Sequence, residues 1–100
     1  MKAALTLEDI QRILRTKKTY IEEQYHVKEI GVFGSYVKGN QTQRSDVDIL
    51  VDFNKTISAF SYVRLKDELT KLLGRKVDLV SKQALKPYAG KRILDEVQYL

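Results

Sequence analysis

Two aspartates one residue apart, Asp46 and Asp48, open an otherwise apolar run, Val47 to Phe53 (VDILVDF). Strands disfavour Asp. Successive side chains on a strand point to opposite faces, so Asp46 and Asp48 share one face while Val47, Ile49 and Val51 turn to the other. Like charges side by side repel unless a cation sits between them. Hard oxygen ligands of this kind suit Mg²⁺, which commonly takes one or two carboxylates together with phosphate oxygens. A pair alone is also what a polar strand start produces. The third acid is Asp78, which interrupts the apolar segment RKVDLV. If that segment pairs beside the first, the three acids converge as a two-metal phosphoryl-transfer site requires, paired cations clamping the attacking and leaving oxygens. Taken alone, Asp78 reads more readily as a strand-end acid paired with Lys or Arg.

Upstream lies Gly34-Ser35, at the end of a strand-like run and the start of a short helical turn. A helix start presents free backbone N–H groups, an anion site to which Ser adds a hydroxyl donor. Glycine leaves room for a phosphate to approach the backbone. In isolation Gly-Ser is a tight turn with a cap. A phosphate cradle and a magnesium cage joined by one short loop describe a site for a nucleoside triphosphate. The conjunction carries that reading.

The elements that must position these residues are set by periodicity. Leu7, Ile10, Leu14, Ile21 and Tyr25 recur at helical spacing, with Thr6 as N-cap and Glu8 and Asp9 in the first turn, where the helix dipole favours acids. Val27 to Phe33 reads as a strand, Ser35 to Lys38 as one helical turn closed by Gly39-Asn40, and Val47 to Phe53 as a second strand. Ser58 caps a long helix through Leu73, with Leu65, Leu69, Leu72 and Leu73 as its stripe and Gly74 at the C-terminal cap. Lys76 to Val80 is the third strand. Tyr88 to Val97 forms a last helix with Ile93, Leu94 and Val97 on one side. Alternating strands and helices predict an α/β fold, a small mixed β-sheet packed with helices. The long helix joins parallel neighbours, while the loop from Gly34 to Ser45 is too short for a crossover and implies an antiparallel first pair.

One hundred residues suffice for one domain and not for two, so residues 1–100 are expected to form a single domain. With 43% hydrophobic residues the core is modest, which makes an oligomer or partner contact unsurprising. Absence of cysteine excludes thiolate metal sites and disulfides and fits a reducing cytoplasm. No apolar run reaches the length of a membrane helix, and no signal-peptide pattern is present. The net charge of +5 could attract polyanions, but the Lys and Arg residues are scattered and do not interleave with aromatics. They read as a solvated surface, without stable nucleic-acid binding.

Gly34-Ser35, ten residues, then Asp46-Val-Asp48 resembles the signature of the polymerase-β-like nucleotidyltransferases. The blocks GSYVKG, SDVDILVDF, LKDELTKLLGRKVDLV and RILDEVQYL extend the likeness to minimal nucleotidyltransferases (MNT), the antitoxin halves of toxin–antitoxin pairs whose toxins are HEPN-domain ribonucleases. The resemblance implies a polymerase-β-like fold. It also implies two Mg²⁺ ions on Asp46 and Asp48, with Asp78 as the third acid that holds the catalytic metal and helps to deprotonate the nucleophile. Gly34 and Ser35 would hold the triphosphate of ATP. Lys38 stands where relatives often have Arg and would serve as a phosphate point charge, and Arg44 is a further phosphate candidate. The implied reaction moves AMP from ATP to a tyrosine of the HEPN toxin, adding bulk and charge where RNA must bind.

The remaining candidates weigh less. His26, the one histidine, reads as structural at a helix end. Asp52 shares the parity of Asp46 and Asp48 but lies at the far end of the strand, as a solvated acid. Tyr36 either packs or stacks on a base. The closing helix and Tyr99 dock on a partner or on the chain's own sheet. Two other functions remain open: an antitoxin that masks its toxin by binding, and a nucleotidyltransferase with a small-molecule or RNA acceptor.

Overall fold

Thr6 starts the first helix with a reciprocal cap. The Asp9 N–H donates to Thr6 Oγ1 and the Thr6 N–H to Asp9 Oδ2, each at 3.1 Å. Two backbone donors that the helix itself leaves without partners are satisfied in this way. The computed structural model describes residues 4–100. From this cap α1 runs over Leu7–Tyr25, burying Ile10, Leu14, Ile21 and Tyr25. It ends where His26 takes a left-handed conformation, φ 56°, and returns its N–H to the Glu22 carbonyl. His26 is therefore a helix terminator.

The chain continues through β1 (Val27–Phe33), α2 (Ser35–Lys38), β2 (Val47–Phe53), α3 (Ala59–Leu73), β3 (Val77–Ser81), a 3-10 turn (Lys82–Ala84), α4 (Pro87–Glu96) and β4 (Gln98–Tyr99). The sheet order is β3-β2-β1-β4. β1 and β2 are antiparallel, β2 and β3 parallel, so the sheet is mixed as the connection lengths require. Ser58 and Gly74 cap α3 at its two ends, the latter in the left-handed region that glycine adopts without strain.

α1 and α3 cover one face of the sheet. Ile10 and Leu14 from α1, Val32, Ile49 and Val51 from the strands, and Leu65 and Leu69 from α3 meet there in one cluster. Each such side chain contributes roughly 1.5–3 kcal/mol by leaving water. Val47, Ile49 and Val51 are all fully buried, as strand parity requires. Among the described residues no helix is long and apolar enough to cross a membrane.

The departures from expectation concentrate after β2. β3 begins and ends one residue later than Lys76 to Val80. α4 starts at Pro87, a residue suited to the first helical position because its missing N–H is not needed there, and stops at Glu96. Val97 thus leaves the helix in extended conformation, and Leu94 is exposed, so Ile93, Leu94 and Val97 form no common stripe. β4 has no counterpart among the expected elements. It pairs antiparallel with β1, Gly31 opposite Tyr99 and Val32 opposite Gln98, and the Leu100 N–H donates to the Ile30 carbonyl at 3.0 Å. The chain's end therefore docks on its own sheet.

Candidate active site

The parallel register sets Asp48 directly beside Asp78, and the antiparallel register sets Phe33, at the end of β1, beside Asp48. Gly34 is the next residue. Its φ of 78° and ψ of −148° belong to a region open essentially to glycine alone. A Cβ built there would lie 2.0 Å from Asp48 Oδ2. The cradle and the Asp48 carboxylate are thus in contact, and the glycine is required both by backbone conformation and by the acid beside it.

Asp48 is half-buried, and its carboxyl is pushed up to about 6. Burial is the largest cause, next to it the charges of Asp78 and Asp46, a hydrogen bond with Asp78, and the charge of Glu96. This is a carboxylate among carboxylates, with no ion-pair partner among the described residues. A hard divalent cation is the chemical complement of that set. Asp46, just ahead of β2, is near enough for its charge to act on Asp48, and Lys76 Nζ lies 4.0 Å from its Oδ2. Among the described residues no three His, Asp or Glu side chains are gathered tightly enough to form a ready cation cage. Asp48 and Asp78 are the pair the fold brings together, and Asp46 stands at its edge.

The Gly34 N–H is not free. It donates to Glu96 Oε1 at 3.0 Å, and Glu96 Oε2 lies 3.4 Å from Lys38 Nζ. An acid at the end of α4 thus reaches the cradle and the lysine of α2 together. Nothing local in the sequence marks Glu96; only the pairing of β4 with β1 returns the chain to this point. The Ser35 hydroxyl has no protein partner among the described residues, while its carbonyl accepts from the Asn40 N–H at 3.1 Å. Arg44 is exposed in a turn built by Thr42 and Ser45, where its N–H donates to Thr42 Oγ1 at 3.2 Å. Its side chain makes no ion pair among the described residues. Arg75 instead ties this loop down, its guanidinium donating to the Gln43 carbonyl.

One alternative is decided and one side-chain expectation is corrected. Tyr36 is only 3% exposed and belongs to the hydrophobic core, so it cannot stack on a bound base. Asp52 is 9% exposed and not solvated. The 3-10 turn folds over it: Gln83 Nε2 donates to Asp52 Oδ1 at 2.5 Å, and Lys82 Nζ lies 3.9 Å from Oδ2. A buried charge needs such partners. Asp52 is a structural acid, separate from the Asp48–Asp78 pair.

The profile of the nucleotidyltransferase domain family matches residues 14–100. Over 98 residues the chain is 49% identical to the protein adenylyltransferase MntA of Thermococcus cleftensis, covering 98% of this chain and 99% of that one. Among solved structures, one provisionally described as a minimal nucleotidyltransferase superposes with a TM-score of 0.84 at 29% identity, covering 99% of this chain and 100% of that one. The MNT–HEPN complex of Shewanella oneidensis, in which the HEPN toxin is triply AMPylated, contains a chain that superposes with a TM-score of 0.65 at 21% identity, over 89% of this chain and 70% of that one. At that identity the likeness is one of fold.

Proposed function

Since the chain belongs to the nucleotidyltransferase domain family, we propose that it is a protein adenylyltransferase acting as an antitoxin, which transfers AMP from ATP to a tyrosine of a cognate HEPN ribonuclease. One observation carries the reading: Asp48 stands beside Asp78 in register and is itself in contact with the Gly34 cradle. The near full-length identity to a protein adenylyltransferase supports the reaction class. The fold shared with an antitoxin beside its AMPylated toxin supports the partner.

On this reading the Gly34 and Ser35 N–H groups, the Ser35 hydroxyl and Lys38 bind the phosphates. Asp46, Asp48 and Asp78 hold two Mg²⁺ ions, which when bound supply positive charge to the oxygens of the reacting phosphate and of the leaving pyrophosphate. Asp78, at the exposed edge of the pair, takes the phenol proton as the tyrosine oxygen bonds to the α-phosphorus. The bond from that phosphorus to the bridging oxygen breaks, and pyrophosphate departs. The dominant contribution of the protein is positioning and fixed charge. Arg44 is a further candidate for the phosphates.

The test is transfer of label from α-labelled ATP, with Mg²⁺, to a purified HEPN toxin, together with mass spectrometry for AMP on tyrosine. Asp46→Asn and Asp48→Asn are each expected to abolish labelling with the fold retained. Undiminished labelling by either variant would sink the mechanism. Masking of the toxin by binding alone is the second reading, favoured by the exposed Phe60, Val63 and Tyr88. It predicts that the Asp46/Asp48 double variant still protects cells that express the toxin.

A further inference from the structure

We propose that Glu96 is an intramolecular competitor of the nucleotide phosphates and sets the affinity of the site for ATP; this rests on the assignment of Gly34 and Lys38 to the triphosphate. Its two carboxylate oxygens divide between those two groups, Oε1 on the Gly34 N–H at 3.0 Å and Oε2 toward Lys38 Nζ at 3.4 Å. A carboxylate held by a backbone N–H and an ammonium makes the contacts a phosphate would make. One N–H cannot serve both anions. ATP binds only when Glu96 has left.

Glu96 owes its place to the residues just after it. It closes α4, and the chain turns at once into β4, where Gly31 faces Tyr99 and the Leu100 N–H reaches the Ile30 carbonyl. Val97 packs on Gly31 so closely that a Cβ there would lie 2.7 Å from its Cγ2. The docked strand fixes the backbone next to Glu96 and so keeps its carboxylate within reach of the cradle. It also adds negative charge beside Asp48, so its departure relieves repulsion among the acids. The apparent affinity for nucleotide is lowered by the fraction of molecules in which Glu96 is displaced.

The experiment is calorimetric titration of ATP with Mg²⁺ into the wild type, Glu96→Ala and Asp95→Asn, with the Gly34 amide observed by NMR. Asp95 is exposed on the same helix, so its variant reports the effect of removing a charge nearby. Glu96→Ala is expected to bind ATP about tenfold more tightly, which corresponds to a site open in about one molecule in ten. Asp95→Asn is expected to stay within about twofold, an effect of surface charge alone. In the wild type, ATP should carry the Gly34 resonance to its position in ATP-bound Glu96→Ala. If the wild type binds ATP and Glu96→Ala binds it no more tightly, the competition is disproved and the nucleotide site stands. Equal tightening by Asp95→Asn also disproves it. If no folded variant binds ATP, the site assignment fails and the competition fails with it. Should Glu96→Ala not fold, Glu96→Gln, which keeps an acceptor but no charge, is expected to tighten binding in the same direction by a smaller factor.

Discussion

Gly34 and Asp48 are complementary surfaces of one site: the space a Cβ would take at residue 34 is within 2.0 Å of the Asp48 carboxylate. Gly34→Ala would push that carboxylate from its place beside Asp78 and force alanine into a conformation with φ of 78°. The backbone strain costs on the order of 1–3 kcal/mol. The variant should melt below the wild type and lose AMP transfer at every ATP concentration tried. Thermal unfolding monitored by circular dichroism, together with the labelling assay, checks both parts. A variant with wild-type activity would show that the contact is dispensable.

Asp48 also makes the metal-free protein sensitive to pH. Its carboxyl is raised from 3.8 to about 6 in the folded state, chiefly by burial and by Asp78. A raised value means that the folded form binds the proton more tightly than the unfolded chain. The contribution is fully present below about pH 4 and is lost as pH rises through about 6. After allowance for solvent screening, the loss is on the order of 1–2 kcal/mol. In EDTA, Asp48→Asn should therefore gain stability over the wild type as pH goes from about 4.5 to about 7.5. At the upper pH, added Mg²⁺ should stabilise the wild type and not the variant. Urea titrations at both pH values measure this, and a gap independent of pH would contradict the assignment.

Asp52 should matter for stability and not for transfer. Its partners, Gln83 and Lys82, belong to the 3-10 turn after β3, away from the paired acids. Asp52→Ala removes one of the two acceptors of Gln83 Nε2, which keeps the Phe53 carbonyl, and the partner of Lys82; it should lower stability by about 0.5–1.5 kcal/mol, with AMP transfer per folded molecule unchanged. The same urea and labelling assays applied to Asp48→Asn should give the reverse pattern. A fall in activity with Asp52→Ala would place that acid in the site after all.

Much of the fold is legible in the chain because it is local. The caps Thr6, Ser58 and Gly74 and the stripes of α1 and α3 repeat within a few residues. Strand parity sets Asp48 on the face opposite Val47 and Ile49 because β2 runs without a break from Val47 to Phe53. The hidden features depend on distant pairing or on segments too short to have a period. Tyr36 sits in a four-residue helix, which cannot show which side meets the core. Asp52 has the parity of Asp48, but only the turn at Lys82–Ala84 decides that its end of the face is covered. Glu96 reaches Gly34 across 62 positions of sequence, through a strand of two residues.

The docking of that two-residue strand can be tested at Gly31. A Cβ there would lie 2.7 Å from Val97 Cγ2 and 2.9 Å from the Gln98 carbonyl oxygen, of which the second is backbone and cannot simply rotate away. Gly31 has the opposite parity to Ile30 and Val32, which face α1 and α3, so a methyl group there lies on the other face of the sheet, against Val97 and Tyr99. Gly31→Ala should therefore leave α1, α3 and the three longer strands in place and loosen residues 97–100. The Leu100 N–H, bonded to the Ile30 carbonyl in the wild type, should lose protection from hydrogen exchange, while the amides of β2 keep theirs. The cost to global stability should be modest, on the order of 1 kcal/mol, because overpacking is relieved by a strand at the sheet edge. Since Glu96 is held at the cradle by the same strand, its release should bring the Gly34 amide into faster exchange as well. Faster exchange at Leu100 with an unchanged Gly34 would mean that α4 alone holds Glu96 in place.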